Sequence, residues 1–157
     1  MTPMNRLPTG RVRIVLLLAV SALAVGCSSQ NDRFTALAQM NSSNIKRLAN
    51  LYVSYQMKHN WIGPADEATF KAFIQGFRPE KLERLGIAPG AIDDLFVSER
   101  DGQPFSIRYS VPGSSRGSSE VVVLEAVGVD GKRLVAQLDA IQREVDEAEY
   151  NQLLNAG

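Results

Sequence analysis

The spacing of hydrophobic residues changes once along this chain, at Leu95, and this change most constrains the fold. Before it, apolar side chains recur every three or four residues over 44–59 and over 70–77, which is typical of helices with one buried face. After it, apolar and polar residues alternate over 105–111, and 120–127 is mostly apolar, as in strands. Helices followed by consecutive strands predict an α+β fold, with N-terminal helices packed on one face of a small antiparallel meander.

Breakers and caps divide the first half of the chain into helices. Residues 44–59 predict the first helix, and Gly63-Pro64 ends it. Asp66 begins the second helix, because a carboxylate is favourable at the positive end of the helix dipole. Pro79 opens a short third helix, since proline is tolerated at a first helical position, and Gly86 ends it. The second helix has an apolar row that we expect to bury: Phe70, Phe73, Ile74 and Phe77.

Turn signals divide the second half into strands and a final helix. Asp101-Gly102 and Asp130-Gly131 predict hairpin turns. Asp146 predicts the cap of a short C-terminal helix, with Glu149 as its capping-box partner. The apolar side of that helix is expected to include Leu153 and Leu154. The predicted strands lie at 96–98, 105–111, 120–127, 134–138 and 141–145.

The first 27 residues have the pattern of an export signal. Three arginines and no acidic residue accompany 14–25, which is aliphatic apart from one serine. This stretch is too short to span a bilayer, which takes about 20 residues. It leads into Leu23-Ala24-Val25-Gly26-Cys27, which resembles the lipobox of bacterial lipoproteins. The resemblance implies cleavage before Cys27, acylation of its thiol, and a new N-terminus at that residue.

The cysteine count supports the same interpretation. Cys27 is the only cysteine, so it has no intramolecular disulfide partner. Two or three acyl chains would hold it stably on a lipid bilayer, whereas one chain binds only marginally. We therefore expect a lipoprotein signal peptide at 1–26, a lipidated tether at 27–43 and a single domain at 44–157. An ordinary cleaved signal followed by a chance cysteine is the alternative.

The residues after Cys27 and the net charge of the chain bear on where the protein is located and what it binds. Ser28-Ser29 after the cysteine resembles outer-membrane sorting, so we expect a cell-envelope protein facing the periplasm or the exterior. Without 1–26 the chain keeps 14 basic and 17 acidic residues, for a formal charge of −3. A mildly acidic domain without a basic run in sequence gives no support to nucleic-acid binding. The remaining partner class is an unknown envelope protein.

The residues that could carry chemistry are few. His59, the only histidine, ends the first predicted helix, where a positive charge interacts well with the dipole. The chain has no second histidine and no free cysteine, so it lacks the residues that a zinc site or a nucleophilic triad usually requires. We expect no enzymatic activity, no metal and no cofactor. The candidate interaction residues are His59, Trp61 beside Gly63-Pro64, and Arg116 in the Gly/Ser-rich loop at 112–119.

Two alternatives stay open at this stage. A hydrolase would need two carboxylates held across a cleft, and carboxylates also occur around the predicted hairpin turn, at Glu99 and Asp101. A carrier of a small apolar ligand would need a cavity between the helices and the sheet. The carboxylate pairs lie at predicted helix starts or turns, where a local structural role suffices: Asp66-Glu67, Asp93-Asp94, and Glu147 with Glu149.

One motif of the first helix is Asn44-x-x-x-Leu48-Ala49-x-x-Tyr52-x-x-Tyr55-x-x-x-His59-x-x-x-Gly63-Pro64. It resembles the end of the long helix in pilin-like (pseudopilin-related) proteins of planctomycete bacteria. The stretches 96–105, 128–133 and 145–150 resemble small secreted proteins of the same kind. The resemblance implies a helix laid on a small antiparallel sheet and no known enzymatic activity. Pilins keep an apolar N-terminal helix, whereas here that segment ends at the lipobox, so the filament role is not carried over.

Together these features predict a membrane-anchored envelope lipoprotein. Its domain is expected to be a non-enzymatic binding or structural module of an envelope, secretion or pilus-like assembly.

Overall fold

The computed structural model describes residues 42–114, 116, 118–139 and 141–155. The predicted signal peptide, Cys27 and the tether as far as residue 41 lie outside the described residues. The described ranges form an α+β fold in which helices precede an antiparallel meander, which confirms the predicted fold class. Its elements are α1 (Asn44–Lys58), α2 (Glu67–Gln75), α3 (Pro79–Arg84), a 3₁₀ helix (Asp93–Phe96), β1 (Phe105–Ile107), β2 (Val121–Glu125), β3 (Lys132–Gln137), β4 (Gln142–Asp146) and α4 (Glu147–Asn155).

Helix α1 supplies the centre of the core. It packs on β2, β3 and the 3₁₀ helix. Burying one aliphatic or aromatic side chain contributes about 1.5–3 kcal/mol. The buried face of α1 therefore contributes much of the free energy that holds the helices on the sheet. Toward the end of α1 the predicted stripe becomes exposed, since Tyr55 is half-buried and His59 is exposed. The residues of the buried face are Ile45, Leu48, Ala49, Leu51 and Tyr52.

Helices α2 and α3 begin and end as predicted. The Asp66 carboxylate accepts a hydrogen bond from the Thr69 N–H at 2.7 Å, which satisfies one of the free amides at the start of α2. Pro79 is the first residue of α3. Gly86 follows that helix with a φ of 72°, a left-handed conformation that glycine adopts without a steric penalty.

The apolar row of α2 is buried only in part. Phe70 and Ile74 are fully buried, as predicted. Phe73 and Phe77 are half-buried, so the expectation that all four residues lie in the core is wrong for these two. Their rings instead lie at the edge of the core and face cationic side chains, which are described with the site.

Strands β1 to β4 form one antiparallel sheet in chain order, so β1 and β4 are its edges. Val123 pairs with Ala136, and Leu124 with Val135. A β-bulge between Val121 and Val123 interrupts this register. All five residues of β2 are buried, because both faces of the sheet are covered.

Two hydrophobic clusters account for this burial, and they lie on opposite faces because successive residues of a strand point to opposite sides. Val123 and Ala136 pack with helices α1 and α2. Their strand neighbours Leu124 and Val135 pack with Tyr150 of α4. The sequence predicted helices on one face and did not assign α4 to the other.

Strand β1 has three residues and is therefore shorter than the strand predicted at 105–111. After β1 the chain leaves the sheet and runs beside the connection between α1 and α2. The Gly63 N–H donates to the Val111 carbonyl at 3.0 Å, and the Ser110 N–H donates to the Pro64 carbonyl at 2.8 Å. Ser110 has a φ of 59°, which ends the extended conformation. Tyr109 and Val111, beyond β1, still pack against the core beside Phe105 and Ile107 of β1, although the backbone there no longer pairs with β2.

The hairpin between β2 and β3 turns where the sequence predicts. Asp130 and Gly131 have φ values of 51° and 71°, as a tight turn with two left-handed residues requires. Lys132 on β3 pairs with Asp146 on β4, and Ala136 pairs with Gln142, which fixes the register of the last two strands.

Helix α4 has half of the predicted capping box. The Asp146 carboxylate accepts a hydrogen bond from the Glu149 N–H at 2.9 Å, whereas the Glu149 carboxylate pairs with Arg143. Leu153 packs on the sheet with Tyr150, whereas Leu154, predicted on the same apolar side of the helix, is 42% exposed. Among all the described helices, none has the length and apolar character needed to cross a membrane.

Candidate functional site

The residues singled out from the sequence are not brought together. Cys27 lies outside the described residues. His59 and Trp61 follow α1, and Arg116 is exposed in the loop between β1 and β2. None of these three side chains lines the two clefts described below.

His59 caps the end of α1. Its ring Nδ1 lies 2.8 Å from the Tyr55 carbonyl oxygen, and because a carbonyl can only accept, the ring N–H donates to it. The imidazole also stacks on the Tyr55 ring, with centroids 3.8 Å apart. This geometry gives His59 a structural role at a helix end.

Trp61 is held mainly through its backbone. Its φ is 62°, its N–H donates to the Gln56 carbonyl at 2.8 Å, and its carbonyl accepts from the Gly113 N–H at 2.7 Å. The buried Gln56 amide donates to the Val111 carbonyl at 2.8 Å. A Cβ at Gly113 would lie 2.5 Å from Gln56 Oε1, so a side chain here would displace the buried Gln56 amide. The indole is half-buried, while the neighbouring Ile62 is 54% exposed.

The predicted carboxylate pairs have local partners. Asp66 caps α2, and Glu67 forms an ion pair with Lys71 at 2.7 Å. Asp93 pairs with the same lysine at 2.7 Å. Asp94 is exposed at the start of the 3₁₀ helix. Asp66 and Glu67 therefore act within α2, and Asp93 links α2 to the 3₁₀ helix through Lys71.

The acids of the predicted hairpin are also engaged in structure. Glu99 accepts a hydrogen bond from the Asn44 N–H at 2.8 Å, at the start of α1. Asp101 accepts from the Gly128 N–H at 2.6 Å and the Gln103 N–H at 3.0 Å. Burial of the Asp101 carboxyl opposes its ionisation, but these two hydrogen bonds, together with those from the Ser98 side chain and the Asp101 backbone, outweigh that effect and lower its pKa.

Glu125 is a buried carboxylate that no pattern in the sequence singles out. Its side chain is 0% exposed. Its oxygens accept hydrogen bonds from the Ser98 hydroxyl and the Leu134 N–H, both at 2.7 Å. Arg100 Nη1 lies 3.7 Å from the same carboxylate and 2.9 Å from the Glu144 carboxylate. The network joins β2 and β3 to the turn before β1 and compensates a charge that would otherwise be costly to bury.

A cleft of 360 Å³, the carboxylate cleft, opens beside Glu125. Glu99 and Arg100 form its charged rim, and Phe105 supplies an apolar wall. Ser43, also on the rim, donates its hydroxyl to Gln142 Oε1 at 3.1 Å. The named charged groups of this cleft already have partners within the domain.

A second cleft of 400 Å³, the basic cleft, lies where α1 ends near α3. Four cations and one carboxylate line it, around an aromatic ring. Lys58 comes from the last turn of α1, Arg78 precedes α3, and Lys81 and Arg84 lie on α3. The other side chains are Phe77 and Glu80.

The Phe77 ring lies between the cations of the basic cleft. Lys81 Nζ is 3.5 Å from the ring centroid, and Lys58 Nζ is 5.4 Å from it. Lys58 also lies 5.3 Å from the Phe73 centroid. Attraction between a cation and an aromatic face contributes about 0.5–1 kcal/mol at exposed sites, enough to position the lysines without neutralising them.

The lysines near the two ends of α2 differ in their electrostatics. Partial burial lowers the pKa of Lys81, and the charges of Lys58 and Arg84 lower it further. Lys71, by contrast, donates to Asp93 and Glu67, and these hydrogen bonds raise its pKa. Both lysines lie over aromatic rings, Lys71 at 4.8 Å from Phe96, so the carboxylate partners are the difference.

A sequence signal for the basic cleft existed. Arg78, Lys81 and Arg84 recur every three residues across the short third helix, a spacing that brings side chains together on one face. The contribution of Lys58 required the tertiary fold, because α1 and α3 are separated by the whole of α2.

Within the described ranges, no three histidine, cysteine or carboxylate side chains are arranged so that they could hold a metal ion. The chain matches no family model, no curated protein and no solved structure.

Proposed function

We propose that this chain is a membrane-anchored envelope lipoprotein whose α+β domain acts as a non-enzymatic binding or structural module. The observation that carries the proposal is the lipobox-like ending of the signal segment at Cys27, the only cysteine of the chain. A lone thiol at that position fits acylation, and dual or triple acylation gives a stable membrane anchor.

The dimensions of the chain support this arrangement. Residues 28–41 separate Cys27 from the first described residue. Fully extended, a chain of that length reaches about 50 Å at most. An acylated Cys27 would therefore keep the domain close to the bilayer surface, where its clefts meet lipid headgroups and other envelope proteins.

The placement of the carboxylates supports a binding role in preference to hydrolysis. Asp66, Glu67 and Asp93 each fix helix α2, and Glu99 and Asp101 each accept backbone hydrogen bonds. A glycosidase-type mechanism needs two carboxyls that face a common substrate. The unneutralised charges of the basic cleft are better suited to binding.

Metabolic labelling with a palmitate analogue tests the anchor. The wild-type chain, expressed in a bacterium that processes lipoproteins, is expected to take up label and to sediment with membranes. The Cys27→Ser variant is expected to lose both properties. Wild-type protein without label, or label that persists in the variant, would refute the proposal.

An Ala36→Cys change made on the Cys27→Ser background is a matched control. It restores a thiol after Arg33-Phe34-Thr35, outside the apolar segment, where the lipobox-like pattern is absent. The proposal expects no label on this double variant, because acylation depends on the position of the cysteine and not merely on its presence.

A further inference from the structure

The cations of the basic cleft lack acidic partners. Among the described residues, Lys58, Arg78, Lys81 and Arg84 form no ion pair with any carboxylate, while seven other pairs are made elsewhere. Glu80 is the only acid among the residues of the cleft. In a domain that carries more acids than bases, such a gathering of cations is not a consequence of composition.

Helix dipoles explain this arrangement only in part. Lys58 lies in the last turn of α1, and Lys81 and Arg84 lie in the last turn of α3, where positive charge is favourable. Arg78 precedes α3 and gains nothing from such a position. Lys81 lies close enough to Lys58 and Arg84 for their charges to disfavour its protonated form. The cleft therefore contains repulsion that an anion would relieve.

From this geometry we propose that the basic cleft binds a phosphate group. Two guanidinium groups and two ammonium groups line an open volume of 400 Å³. Guanidinium groups donate two parallel hydrogen bonds to phosphate oxygens, and lysine adds a mobile point charge. The phosphate could be free, part of a small molecule, or presented by a lipid headgroup, and these sources share the chemistry that the cleft recognises.

The carboxylate cleft is a poorer candidate for the same ligand. Arg100, its nearest cation, already faces Glu125 and Glu144. A phosphate there would compete with two carboxylates and approach a third at Glu99. The difference between the clefts predicts that phosphate affects the side chains of one and not of the other.

The test uses the full chain in neutral detergent micelles, with inorganic phosphate as the probe. The Lys81 side-chain resonances are followed by NMR as phosphate is added at constant ionic strength. Saturable shifts and a raised pKa of the Lys81 ammonium are expected, because a bound anion favours the protonated form. Lys71, whose carboxylate partners remain in place, serves as the internal control and should not respond.

Variants separate binding in the cleft from general charge effects. Lys81→Gln and Arg84→Gln are each expected to weaken phosphate affinity about tenfold, since each removes a charge-assisted hydrogen bond. Because Lys81→Gln lacks the Lys81 signal, the side-chain resonances of Lys58, which also lines the cleft, report binding in all variants and in the wild type. Lys132→Gln removes the same unit of charge from β3, outside the cleft, and is the matched control, expected to bind as the wild type does. Equal weakening by all three variants, or no weakening by the two cleft variants, would overturn the proposal.

A second arm distinguishes the sources of phosphate. The full chain is placed in phosphatidylcholine nanodiscs with or without phosphatidic acid, in buffer without phosphate. A Lys81 response only to phosphatidic acid identifies a lipid headgroup, and a response only to inorganic phosphate identifies a soluble ligand; either supports the proposal. If Lys81 shows no saturable response in either arm, the proposal is refuted. The soluble arm does not depend on acylation of Cys27, so its outcome is separate from that of the labelling experiment.

Discussion

The carboxylate of Glu125 and the cations around Phe77 are charged regions built in opposite ways. Glu125 is fully buried, yet a hydroxyl, a backbone N–H and a guanidinium surround it. Lys58 and Lys81 are exposed, yet they face each other and a ring rather than a carboxylate. The comparison indicates that the charge with complete internal partners serves the fold, whereas the charges without them are available to a ligand.

Physical magnitudes support this distinction. Burying an ionised carboxylate without partners costs far more than a domain of this size can tolerate, so the partners of Glu125 are a condition of folding. Exposed cations in water repel one another only weakly, so the basic cleft can remain unneutralised at little cost. Removing charge should therefore have opposite consequences in the two regions.

The largest effect is expected for Glu125→Ala. This change leaves the Ser98 hydroxyl and the Leu134 N–H without their acceptor. Each buried donor left unsatisfied costs about 1–3 kcal/mol, so the two together should cost about 3 kcal/mol or more. Urea denaturation, measured by circular dichroism, should show a correspondingly lower free energy of unfolding. Glu144→Ala, which removes the exposed partner of the same arginine, should cost less than about 1 kcal/mol. Similar losses for both variants would contradict the structural role of Glu125.

The buried Tyr52 hydroxyl should make the stability of the fold depend on pH in the alkaline range, which tests the interior region of the comparison. Burial raises the pKa of its hydroxyl to about 12, against a small opposing effect of the Val111 N–H that donates to it at 3.1 Å. The folded state thus holds this proton more tightly than the unfolded chain, whose tyrosine pKa is about 10. Stability should be complete below pH 10 and fall as the pH rises from about 10 to 12.

The same urea experiment, repeated across this pH range, measures the decline. Tyr52→Phe should make it shallower and should cost about 1 kcal/mol at neutral pH through the lost hydrogen bond. Tyr109, whose pKa burial also raises, should account for part of the remaining decline. An unchanged pH dependence in Tyr52→Phe would show that this hydroxyl does not titrate with unfolding.

Lys71→Gln should have a smaller effect. It removes two ion pairs at the surface, with Glu67 and Asp93, and such exposed pairs contribute about 1 kcal/mol or less. The loss should shrink further at high salt, because screening weakens exposed pairs. A loss that does not depend on salt would indicate that packing of the lysine stem on Phe96 dominates.

Lys81→Gln should have the smallest effect of the series. It relieves repulsion with Lys58 and Arg84 while it loses a contact with Phe77, so stability without phosphate should stay within about 0.5 kcal/mol of the wild type. The measurement is again urea denaturation, in phosphate-free buffer. A large destabilisation would make Lys81 a structural residue and would break the comparison between the two regions.

The parts of the fold that depend on local chemistry were predictable from the sequence. Asp66, Pro79 and Gly86 mark helix ends because capping and φ preferences involve only nearby residues. Asp130-Gly131 predicts its turn for the same reason. Each of these predictions is confirmed by the structure.

The remaining features depend on contacts between distant segments. The alternation after β1 continues past Ile107, yet the chain there pairs with Gly63 and Pro64 instead of β2. Glu125 ends the apolar run of β2, but nothing in the local sequence indicates that Ser98 and Leu134 donate hydrogen bonds to it. The basic cleft likewise needed Lys58 to meet α3, and no local pattern could specify that meeting.

The two edge strands of the sheet affect whether copies of this protein associate with one another at high concentration. One edge, β1, offers only three residues for pairing, and the other, β4, carries Arg143 and Glu144. Short and charged edges discourage strand addition from another molecule. If acylation confines many copies to the plane of a membrane, this architecture lets them diffuse past one another at high density without self-associating into a continuous sheet.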